Sequence, residues 1–262
     1  MPELPDVEVF RQYLEATSLK QTIEKAEVRE PSMVKSSSGS ELSRSLKDRF
    51  FVSAVRQGKY LAAQLDNHSW LILHFGMTGY LQYFKDQDAD TPHNRPKLLF
   101  KNRHCLIYDC RRKLGQIRLI KDLEAFWRSA DCGPDVLNNL DAQGFIQRLS
   151  GRRGQIKSAL MDQSLFCGIG NIYSDEILFQ TGIHPKTPVK KLDPQDMRRL
   201  YSRMIHVLEK AVQVQADPKQ MPDKWLIPRR EKGQTCPVCG ASLERIRASG
   251  RGSWICPGCQ KL

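Results

Sequence analysis

The chain has 262 residues, which is enough for two domains or for one large domain with a sizeable core. Its formal net charge of +12 at pH 7 favours a polyanionic partner, and no basic amphipathic helix of the membrane-binding kind is evident. The apolar runs are too short to cross a bilayer, and the N-terminus lacks the apolar core of a signal peptide. We therefore expect a nucleic-acid-binding protein of the cytoplasm or nucleoid, with no membrane partner, although charge alone also fits an unrelated basic enzyme.

The first half of the chain is predicted to form one helix followed by many short strands. The helix covers about residues 5–16 and places Val7, Phe10 and Leu14 on one face. Short extended runs with turn residues between them follow, as is typical of a two-sheet sandwich or a barrel. These runs are 22–28, 51–55, 60–65, 70–75, 80–84, 97–100, 105–108 and 116–120, with a loop at 36–40 and a helix at 41–48 after the first.

After residue 121 the apolar periodicity becomes helical. The clearest helix begins with Asp193 as its N-cap and Pro194 in its first turn, and it carries one continuous apolar face. Residues 216–232 contain three prolines and no glycine, which indicates a tethered loop. The predicted helices are 122–129, 141–149, 155–161, 171–180 and 193–214.

The eight cysteines fall into two groups. Four of them form two C-x2-C pairs separated by sixteen residues, a spacing that strongly indicates a zinc site. Two disulfides are the alternative, and a reducing compartment disfavours them. These four are Cys236, Cys239, Cys256 and Cys259. The remaining cysteines are scattered and are expected to be reduced residues that pack in the core. They are Cys105, Cys110, Cys132 and Cys167.

The N-terminus could carry a nucleophile. If Met1 is removed, Pro2 begins the chain, and its secondary amine has a pKa of about 7.7–8.0. The unprotonated fraction could attack an electrophilic carbon and form an iminium, with Glu3 as an acid or base. A retained Met1 would block the amine, and from these residues alone an ordinary N-terminal proline is the favoured alternative.

Two turns in the second half could bind phosphates. Residues 168–171 (GIGN) precede a helix whose N-terminal N–H groups could face an anion, and Lys157 could add a second contact. A tight turn between helices is at least as compatible with this pattern. Arg251 lies between two glycines at a predicted hairpin tip, where it could straddle a phosphate or simply be solvated.

Three further stretches become informative only when they are taken together. They are residues 58–61 (GKYL), 74–79 (HFGMTG) and 112–115 (RKLG). Each one alone is compatible with a solvated charge or a packing residue. An enzyme that acts on a base within a duplex must flip the base out and fill the hole that remains. Apolar side chains and an arginine on loops are suitable for that purpose.

The order of these motifs resembles the formamidopyrimidine-DNA glycosylase/endonuclease VIII family along nearly the whole chain. The Leu-Pro form of the opening is closer to the formamidopyrimidine branch. The motifs that carry the resemblance are residues 2–8 (PELPDVE), 58–61, 74–79, 162–163 (DQ) with 168–179 (GIGNIYSDEILF), and 256–260 (CPGCQ).

The resemblance implies an α+β protein in three parts. Residues 1–125 would form an N-terminal β-sandwich with a leading helix, and residues 126–232 a helix-two-turns-helix domain. Residues 233–262 would form a zinc-ribbon hairpin with one structural Zn²⁺ on the four paired cysteines. The implied protein is a monomer that binds damaged double-stranded DNA.

The implied activity is that of a bifunctional DNA glycosylase and AP lyase of base excision repair, which excises ring-opened purines and 8-oxoguanine. Pro2, Glu3 and Lys59 would form the catalytic group, with Pro2 attacking C1′ and Glu3 protonating the sugar ring oxygen. The remaining implied residues would contact DNA, some by holding phosphates together with Lys59 and some by filling the void left by the flipped base. The residues that would hold phosphates are Lys157, Asn171 and Arg251. The residues that would occupy the void are Met77, Arg112 and Leu114, and His74 is a further implied DNA-contacting residue.

Three features depart from the family pattern. Asp6 replaces a glutamate, Leu114 replaces a phenylalanine, and residues 216–232 lack the glycine-rich pattern of a lesion-capping loop. They affect the preferred lesion more than the reaction class. The alternatives are a non-catalytic relative that binds lesions, a glycosylase that prefers oxidised pyrimidines, and, more distantly, a zinc-ribbon RNA-binding protein.

Overall fold

The computed structural model describes residues 1–35 and 37–262 and divides the chain into two compact units. The first unit comprises residues 1–2 and 6–130, and the second comprises residues 3–5 and 131–262. The division therefore passes twice through the N-terminal segment, so that Pro2 belongs to the first unit and Glu3 to the second. Among the described residues, no helix has both the length and the apolar character that crossing a membrane requires.

The first unit contains two antiparallel sheets of four strands each. Its strands are β1 (Ile23–Val28), β2 (Phe51–Gln57), β3 (Tyr60–Leu65), β4 (Trp70–His74), β5 (Gly79–Phe84), β6 (Asn94–Phe100), β7 (Cys105–Cys110) and β8 (Gln116–Ile120). The sheets have the strand orders β1-β6-β7-β5 and β2-β3-β4-β8. Its helices are α1 (Leu4–Ser18), which belongs to this unit from Asp6 onward, α2 (Gly39–Leu46) and α3 (Leu123–Ser129), with a 3-10 turn at Pro31–Met33. Each of the predicted strands is confirmed, with ends that differ by up to three residues.

One apolar cluster fills the first unit and takes side chains from both sheets and from α1. Leu14 of α1, Phe51 of β2, Leu61 of β3 and Phe100 of β6 are fully buried in it. Burial along β2 does not alternate strictly, because the pairing of β2 with β3 is irregular between Phe51 and Ser53. Each large side chain contributes about 1.5–3 kcal/mol when it leaves water, so this shared core holds the sandwich together.

The second unit is mainly helical and ends in a two-stranded hairpin. It contains α4 (Ala142–Leu149), α5 (Ile156–Met161), α6 (Asn171–Thr181) and α7 (Pro194–Gln213), with the hairpin strands β9 (Glu244–Ala248) and β10 (Arg251–Ile255). The Asp193 carboxylate accepts the Asp196 N–H at 2.7 Å and Pro194 follows it, so the predicted start of α7 is confirmed. Its apolar face, including Leu200, Met204 and Leu208, packs into the core of this unit.

The predicted loop at residues 36–40 is wrong in its second half, because α2 begins at Gly39. Ser38 and Glu41 form a capping box, in which the Ser38 hydroxyl accepts the Glu41 N–H and the Glu41 carboxylate accepts the Ser38 N–H at 2.7 Å. These two hydrogen bonds satisfy N–H groups that have no partner within the helix. The helix therefore starts two residues earlier than predicted. Ser36 lies outside the described residues.

Residues 216–232 are more firmly held than a connecting loop. They form 3-10 turns at Pro218–Gln220 and Ile227–Arg229, and they bury Met221, Trp225 and Leu226. The Glu176 carboxylate accepts the Ile227 N–H at 2.8 Å. The segment therefore packs into the second unit with its own apolar side chains, which the proline count does not reveal.

The expectation that all four scattered cysteines are reduced is also wrong, because the structure joins Cys132 to Cys167 in a disulfide. The Gly133 N–H donates to the Gln163 carbonyl at 2.9 Å and the Cys167 N–H donates to the Pro134 carbonyl at 3.1 Å. These backbone contacts bring together two cysteines that are 35 positions apart. Cys105 and Cys110 are buried and free, as expected.

We expect the Glu176→Gln variant to be more stable than the wild type at pH 8. Burial raises the pKa of Glu176 to about 7 from an ordinary value of 4.5. The protonated carboxyl therefore favours the folded state below pH 4.5, and this contribution is lost as the pH rises through 7. A glutamine can still accept the Ile227 N–H and carries no charge, so we expect a gain of about 1–3 kcal/mol in unfolding free energy at pH 8.

Denaturant unfolding at pH 5 and pH 8 measures this difference, with Glu209→Gln on the same unit as the control. Glu209 is exposed, and its substitution should change neither curve by more than about 0.5 kcal/mol. A stability of the Glu176→Gln variant at pH 8 that is equal to or lower than that of the wild type would contradict the prediction.

Candidate functional site

Glu3 is fully buried, and its carboxylate lies at the N-terminus of α6. It accepts N–H groups from Gly170 at 2.9 Å, from Ile172 at 2.9 Å and from Tyr173 at 3.2 Å. The first turn of a helix leaves its N–H groups without helical partners and is favourable for negative charge. The anion at the turn of residues 168–171 is therefore the carboxylate of Glu3, where the sequence suggested a phosphate.

Neither glycine of this turn has room for a Cβ atom. A Cβ on Gly170 would lie 2.3 Å from the Glu3 Cδ, and a Cβ on Gly168 would lie 2.7 Å from the Leu4 side chain. Gly168 also has a φ of 114°, which side chains rarely adopt. Its carbonyl accepts the Leu4 N–H at 3.0 Å, so the turn holds the backbone after Glu3 as well as the carboxylate.

Gln163 fixes the shape of the same turn. Its amide oxygen accepts the Gly168 N–H at 3.1 Å, and its amide nitrogen donates to the Ile169 carbonyl at 2.8 Å. This explains why Gln163 belongs to the motif with residues 168–179. Pro2, one peptide bond from Glu3, is half-buried, and Met1 before it is 40% exposed.

The strand register of the first unit brings several predicted residues to one end of a sheet. Lys59 lies in the two-residue turn between β2 and β3, next to the pair that Tyr60 makes with His74 of β4. His74 in turn pairs with Gln116, the first residue of β8. Arg112 and Leu114 lie in the loop just before β8, so residues that are far apart in sequence share this end.

The two loops that carry Met77 and Leu114 are in close contact. The Thr78 hydroxyl accepts the Arg112 N–H at 3.1 Å. A Cβ on Gly76 would lie 2.5 Å from the Leu114 carbonyl, so glycine permits the approach. Met77 is 39% exposed and Leu114 is 49% exposed. Two large apolar side chains are thus presented to solvent on loops that support each other.

His74 is neutral at pH 7 in this environment. Burial, together with the positive charge of Lys59, lowers its pKa to about 4. Its Nδ1 accepts the Gly76 N–H at 3.4 Å, which leaves Nε2 as the N–H donor of the neutral ring. The ring can therefore donate one hydrogen bond without adding positive charge.

The predicted phosphate ligands of the second unit meet at the hairpin. Asn171 donates its amide N–H to the Gly252 carbonyl at 3.1 Å, and its amide oxygen is buried without a hydrogen-bond partner. Arg251, the neighbour of Gly252, is exposed at the start of β10. Of this group, Arg251 has the exposure that a phosphate contact needs.

Lys157 lies elsewhere than the sequence suggested, because its side chain is fully buried. Its ammonium is paired with Asp175 and donates to the Ser253 hydroxyl at 3.1 Å. Burial lowers the pKa of Lys157, and the Asp175 carboxylate opposes that shift. In this arrangement the ammonium has no exposed surface. A direct phosphate contact by Lys157 stays a prediction.

Asp175 is a residue whose importance the sequence motifs did not reveal. Its buried carboxylate also accepts the Arg230 guanidinium at 2.5 Å and the Trp254 N–H at 3.1 Å. It thereby joins α6 to α5, to residue 230 and to β10. The acidic pair Asp175 and Glu176, followed directly by the apolar run of residues 177–179, is the sequence signal that indicates such buried partners.

The four paired cysteines converge at the base of the hairpin. Their sulfur atoms all lie within 4.8 Å of one another, with 3.8 Å between Cys236 and Cys259 and 3.4 Å between Cys239 and Cys256. None of the four is in a disulfide. Zn–S bonds of about 2.3 Å in a tetrahedron place sulfur atoms roughly 3.8 Å apart, so this set fits a structural zinc ion.

Gln260 connects the cysteine cluster to the helical part of the same unit. Its amide oxygen accepts the Cys256 N–H at 3.0 Å, and its amide nitrogen donates to the Ile183 carbonyl at 2.9 Å. The last residue of the 256–260 motif therefore anchors the second cysteine pair beside the end of α6.

Three family models match successive parts of the chain. The formamidopyrimidine-DNA glycosylase N-terminal domain matches residues 1–117 and the H2TH domain of the same enzyme matches residues 132–222. A zinc finger found in FPG and IleRS matches residues 233–262.

Relatives of the same description align along the whole chain. Formamidopyrimidine-DNA glycosylases of Thermosynechococcus vestitus and Streptococcus pneumoniae are 34% and 33% identical, covering 100% of this chain and 98% and 99% of the relatives. A Lactococcus lactis FPG mutant in complex with Fapy-dG containing DNA is similar in structure, with a TM-score of 0.90, 29% identity and complete coverage of both chains. The L. lactis enzyme bound to AP-site DNA gives a TM-score of 0.89 at 30% identity, covering 99% of this chain and 100% of that chain. End-to-end identity at this level, together with the three family models, shows that the chain belongs to the formamidopyrimidine-DNA glycosylase family.

Proposed function

We propose that this protein is a bifunctional DNA glycosylase and AP lyase of base excision repair that acts on oxidised bases in double-stranded DNA. The observation that carries the proposal is the Glu3 carboxylate, buried at the N-terminus of α6 and held there by three N–H groups. A buried carboxylate beside an N-terminal proline is a poor choice for stability alone. It is well suited to moving a proton in a reaction of the neighbouring amine.

In the proposed reaction, Pro2 is the nucleophile once Met1 has been removed. Its nitrogen attacks C1′ of the damaged nucleoside, the bond between C1′ and the base breaks, and the departing base anion takes a proton from water. Glu3 takes the proton of the attacking amine and delivers it to the ring oxygen O4′, which opens the sugar to an iminium. Loss of a C2′ proton then allows the 3′ phosphate to leave, and hydrolysis of the iminium releases the enzyme.

The contacts with DNA are proposed to come from both units. Lys59, Asn171 and Arg251 contact phosphates, and Lys157, which also supports the hairpin through Asp175 and Ser253, is proposed as a further phosphate ligand. Met77, Arg112 and Leu114 fill the void of the flipped base, for which the exposure of Met77 and Leu114 is suitable. Neutral His74 is also proposed to contact DNA, by donating a hydrogen bond from its Nε2 beside Lys59.

We propose one structural zinc ion per chain, bound by Cys236, Cys239, Cys256 and Cys259. The ion adds no chemistry to the reaction, since four protein thiolates leave no position for substrate. It holds the hairpin that carries Arg251. We further propose that residues 1–125, 126–232 and 233–262 act as the catalytic, helical DNA-binding and zinc-finger parts of a monomer in the cytoplasm, at the nucleoid.

The main alternative is a relative that binds lesions without cutting them. Borohydride separates the two functions, because it reduces an iminium to a stable covalent protein–DNA adduct and leaves a simple complex unlinked. A preference for oxidised pyrimidines is the second alternative. Single-turnover excision of defined purine and pyrimidine lesions in the same duplex decides between these substrate classes.

Active preparations should begin at Pro2 and should be trapped on lesion DNA by borohydride. An amine acylated by Met1 or by an N-terminal tag cannot form the iminium, so the blocked protein should retain lesion binding and lose cleavage. Intact-mass analysis identifies the N-terminus, and gel electrophoresis after reduction counts the adduct. Cleavage at the normal rate by a protein that fully retains Met1 would refute Pro2 as the nucleophile.

Removal of Lys59 or Arg251 should weaken the salt dependence of DNA binding. If each cation neutralises one phosphate, Lys59→Ala and Arg251→Ala should each lower the slope of log K against log salt by roughly one unit. Lys101→Ala is the matched control, because Lys101 is an exposed lysine paired with Asp48 at the opposite end of the sandwich. Fluorescence anisotropy on an abasic-site analogue at several salt concentrations provides the slopes. Slopes unchanged from wild type in both variants would contradict the assigned contacts.

The purified protein should contain one zinc ion per chain, and its removal should abolish specific DNA binding. Loss of the ion releases the four thiolates and with them the hairpin, whereas the β-sandwich has its own core and should keep its strand signal. Elemental analysis counts the metal, and circular dichroism with binding assays follows chelation. A metal-free protein with full DNA binding would be the contrary result.

A further inference from the structure

The disulfide between Cys132 and Cys167 lies in a part of the second unit that is already aligned by backbone contacts. The Cα atoms of the pair are 5.5 Å apart, which is within the usual range for a disulfide. Asp135 forms a parallel β-bridge with Cys167. The Gly133 N–H donates to the Gln163 carbonyl, and the Pro134 carbonyl accepts the Cys167 N–H. These backbone contacts therefore bring the two thiols near enough for the bond to form.

The segment that ends at Cys167 leads directly into the turn that holds Glu3. Gly168 follows Cys167 and accepts the Leu4 N–H, and Gly170, three residues after the cysteine, donates to the Glu3 carboxylate. Gln163 clamps this turn and also receives the Gly133 N–H on its carbonyl. A covalent bond at Cys167 thus ties the support of Glu3 to residues 132–135.

The two cysteines differ in exposure in the manner of a reactive pair. Cys132 is partly exposed, whereas Cys167 is 1% exposed. An oxidant can reach the Cys132 thiol, and the Cys167 thiol is placed to attack the sulfenic acid that forms there. Cys105 and Cys110, the other cysteines outside the metal cluster, are buried in the first unit, and burial raises the pKa of Cys105. They have no partner of this kind among the described residues.

We propose that Cys132 and Cys167 form a thiol–disulfide modification site that responds to hydrogen peroxide and controls the rigidity of the Glu3 turn. The Cys132 thiolate attacks one peroxide oxygen, the O–O bond breaks, and the released hydroxide takes a proton to become water. The Cys167 thiol then attacks the resulting sulfenic acid, the S–S bond forms, and a second water leaves. Two thiols lose two electrons and two protons in total, and the peroxide is reduced to water.

The oxidised form is the one with the better ordered Glu3 turn. Reduction leaves the backbone contacts of residues 133–135 to hold the segment alone, so the acid is less well positioned for the reaction. Arg251 and Lys59 are not part of this segment, and Asn171 keeps its hydrogen bond to the Gly252 carbonyl of the hairpin, so DNA affinity stays the same while the rate of excision falls. The effect on excision rests on the proposed glycosylase function, whereas the thiol chemistry and its effect on stability do not.

The test compares reduced wild-type protein before and after treatment with stoichiometric hydrogen peroxide. Non-reducing peptide mapping should find a cross-link between the peptides of Cys132 and Cys167 in the treated sample. The second unit should unfold about 5 °C higher or more when the bond is present, as expected for a loop closed by a disulfide. Excision under single-turnover conditions should be about threefold faster or more in the oxidised form, with unchanged affinity for lesion DNA.

Two variants serve as controls. Cys132→Ser keeps the four zinc thiols, so any damage that peroxide does to the zinc site appears in it as well, but its unfolding temperature and excision rate should not rise. Cys105→Ser should respond like the wild type. The absence of the cross-link from treated wild-type protein, or an equal response of Cys132→Ser, would overturn the proposal. Failure of the glycosylase function itself would show as no excision in any sample, while peptide mapping and unfolding would still report on the switch.

If Cys132→Ser does not fold, the wild-type comparison alone decides, since it needs no substitution. A cross-link that raises the unfolding temperature and leaves the excision rate unchanged would overturn the connection to Glu3.

Discussion

The second unit depends on the contact between one buried carboxylate and the first turn of one helix. Burying an ionised group costs several kcal/mol unless charge-compensating donors replace the lost water. Glu3 obtains three N–H donors from α6 and the turn before it, and that turn must then be narrow enough to admit the carboxylate. This requirement explains the glycines at 168 and 170 and the amide of Gln163, which would have no reason to occur together in an ordinary turn.

Helix α6 carries further polar contacts of the same kind. Eight of its eleven residues are buried, so it is a core helix whose polar side chains must all find partners. Asn171 reaches the hairpin, Asp175 pairs with Lys157 and Arg230, and Glu176 receives the backbone of Ile227. A single helix thereby positions Glu3, the hairpin and residues 216–232. Replacing Asp175 by an apolar residue would leave the buried Lys157 ammonium and the Trp254 N–H without their partner, which is the costly outcome.

In the first unit, the decisive constraint is strand register. The pairs Tyr60 with His74 and His74 with Gln116 align three turns at one end of a sheet. A shift by one residue would exchange the two faces of the strand and move every side chain of the group. The packing of the sandwich core fixes this register, so the position of these loops follows from side chains that lie in the core.

Local patterns in the sequence were sufficient for the strands, the main helices and the cysteine cluster. Period-two and helical periodicities, the cap formed by Asp193 and Pro194, and the C-x2-C spacing are all encoded within a few residues, and the structure agrees with them. The motif order was also sufficient to identify the family. Ends of elements were less certain, as with α2, because a capping box depends on side-chain hydrogen bonds that compete with a loop.

Only the tertiary structure decided which distant residues meet. The anion at the turn of residues 168–171 proved to be Glu3, which is 167 positions from Gly170. Lys157 proved to be buried against Asp175, Cys132 to be bonded to Cys167, and the proline-containing segment after α7 to be packed. These contacts join groups whose sequence separation carries no periodic signal, and the free energy that selects them comes from burial and from satisfying polar groups in a shared interior. The sequence by itself therefore determined the elements, the cysteine cluster and the family. The partners of the buried charges were decided by the fold, because a buried charge pairs with the groups that packing brings next to it.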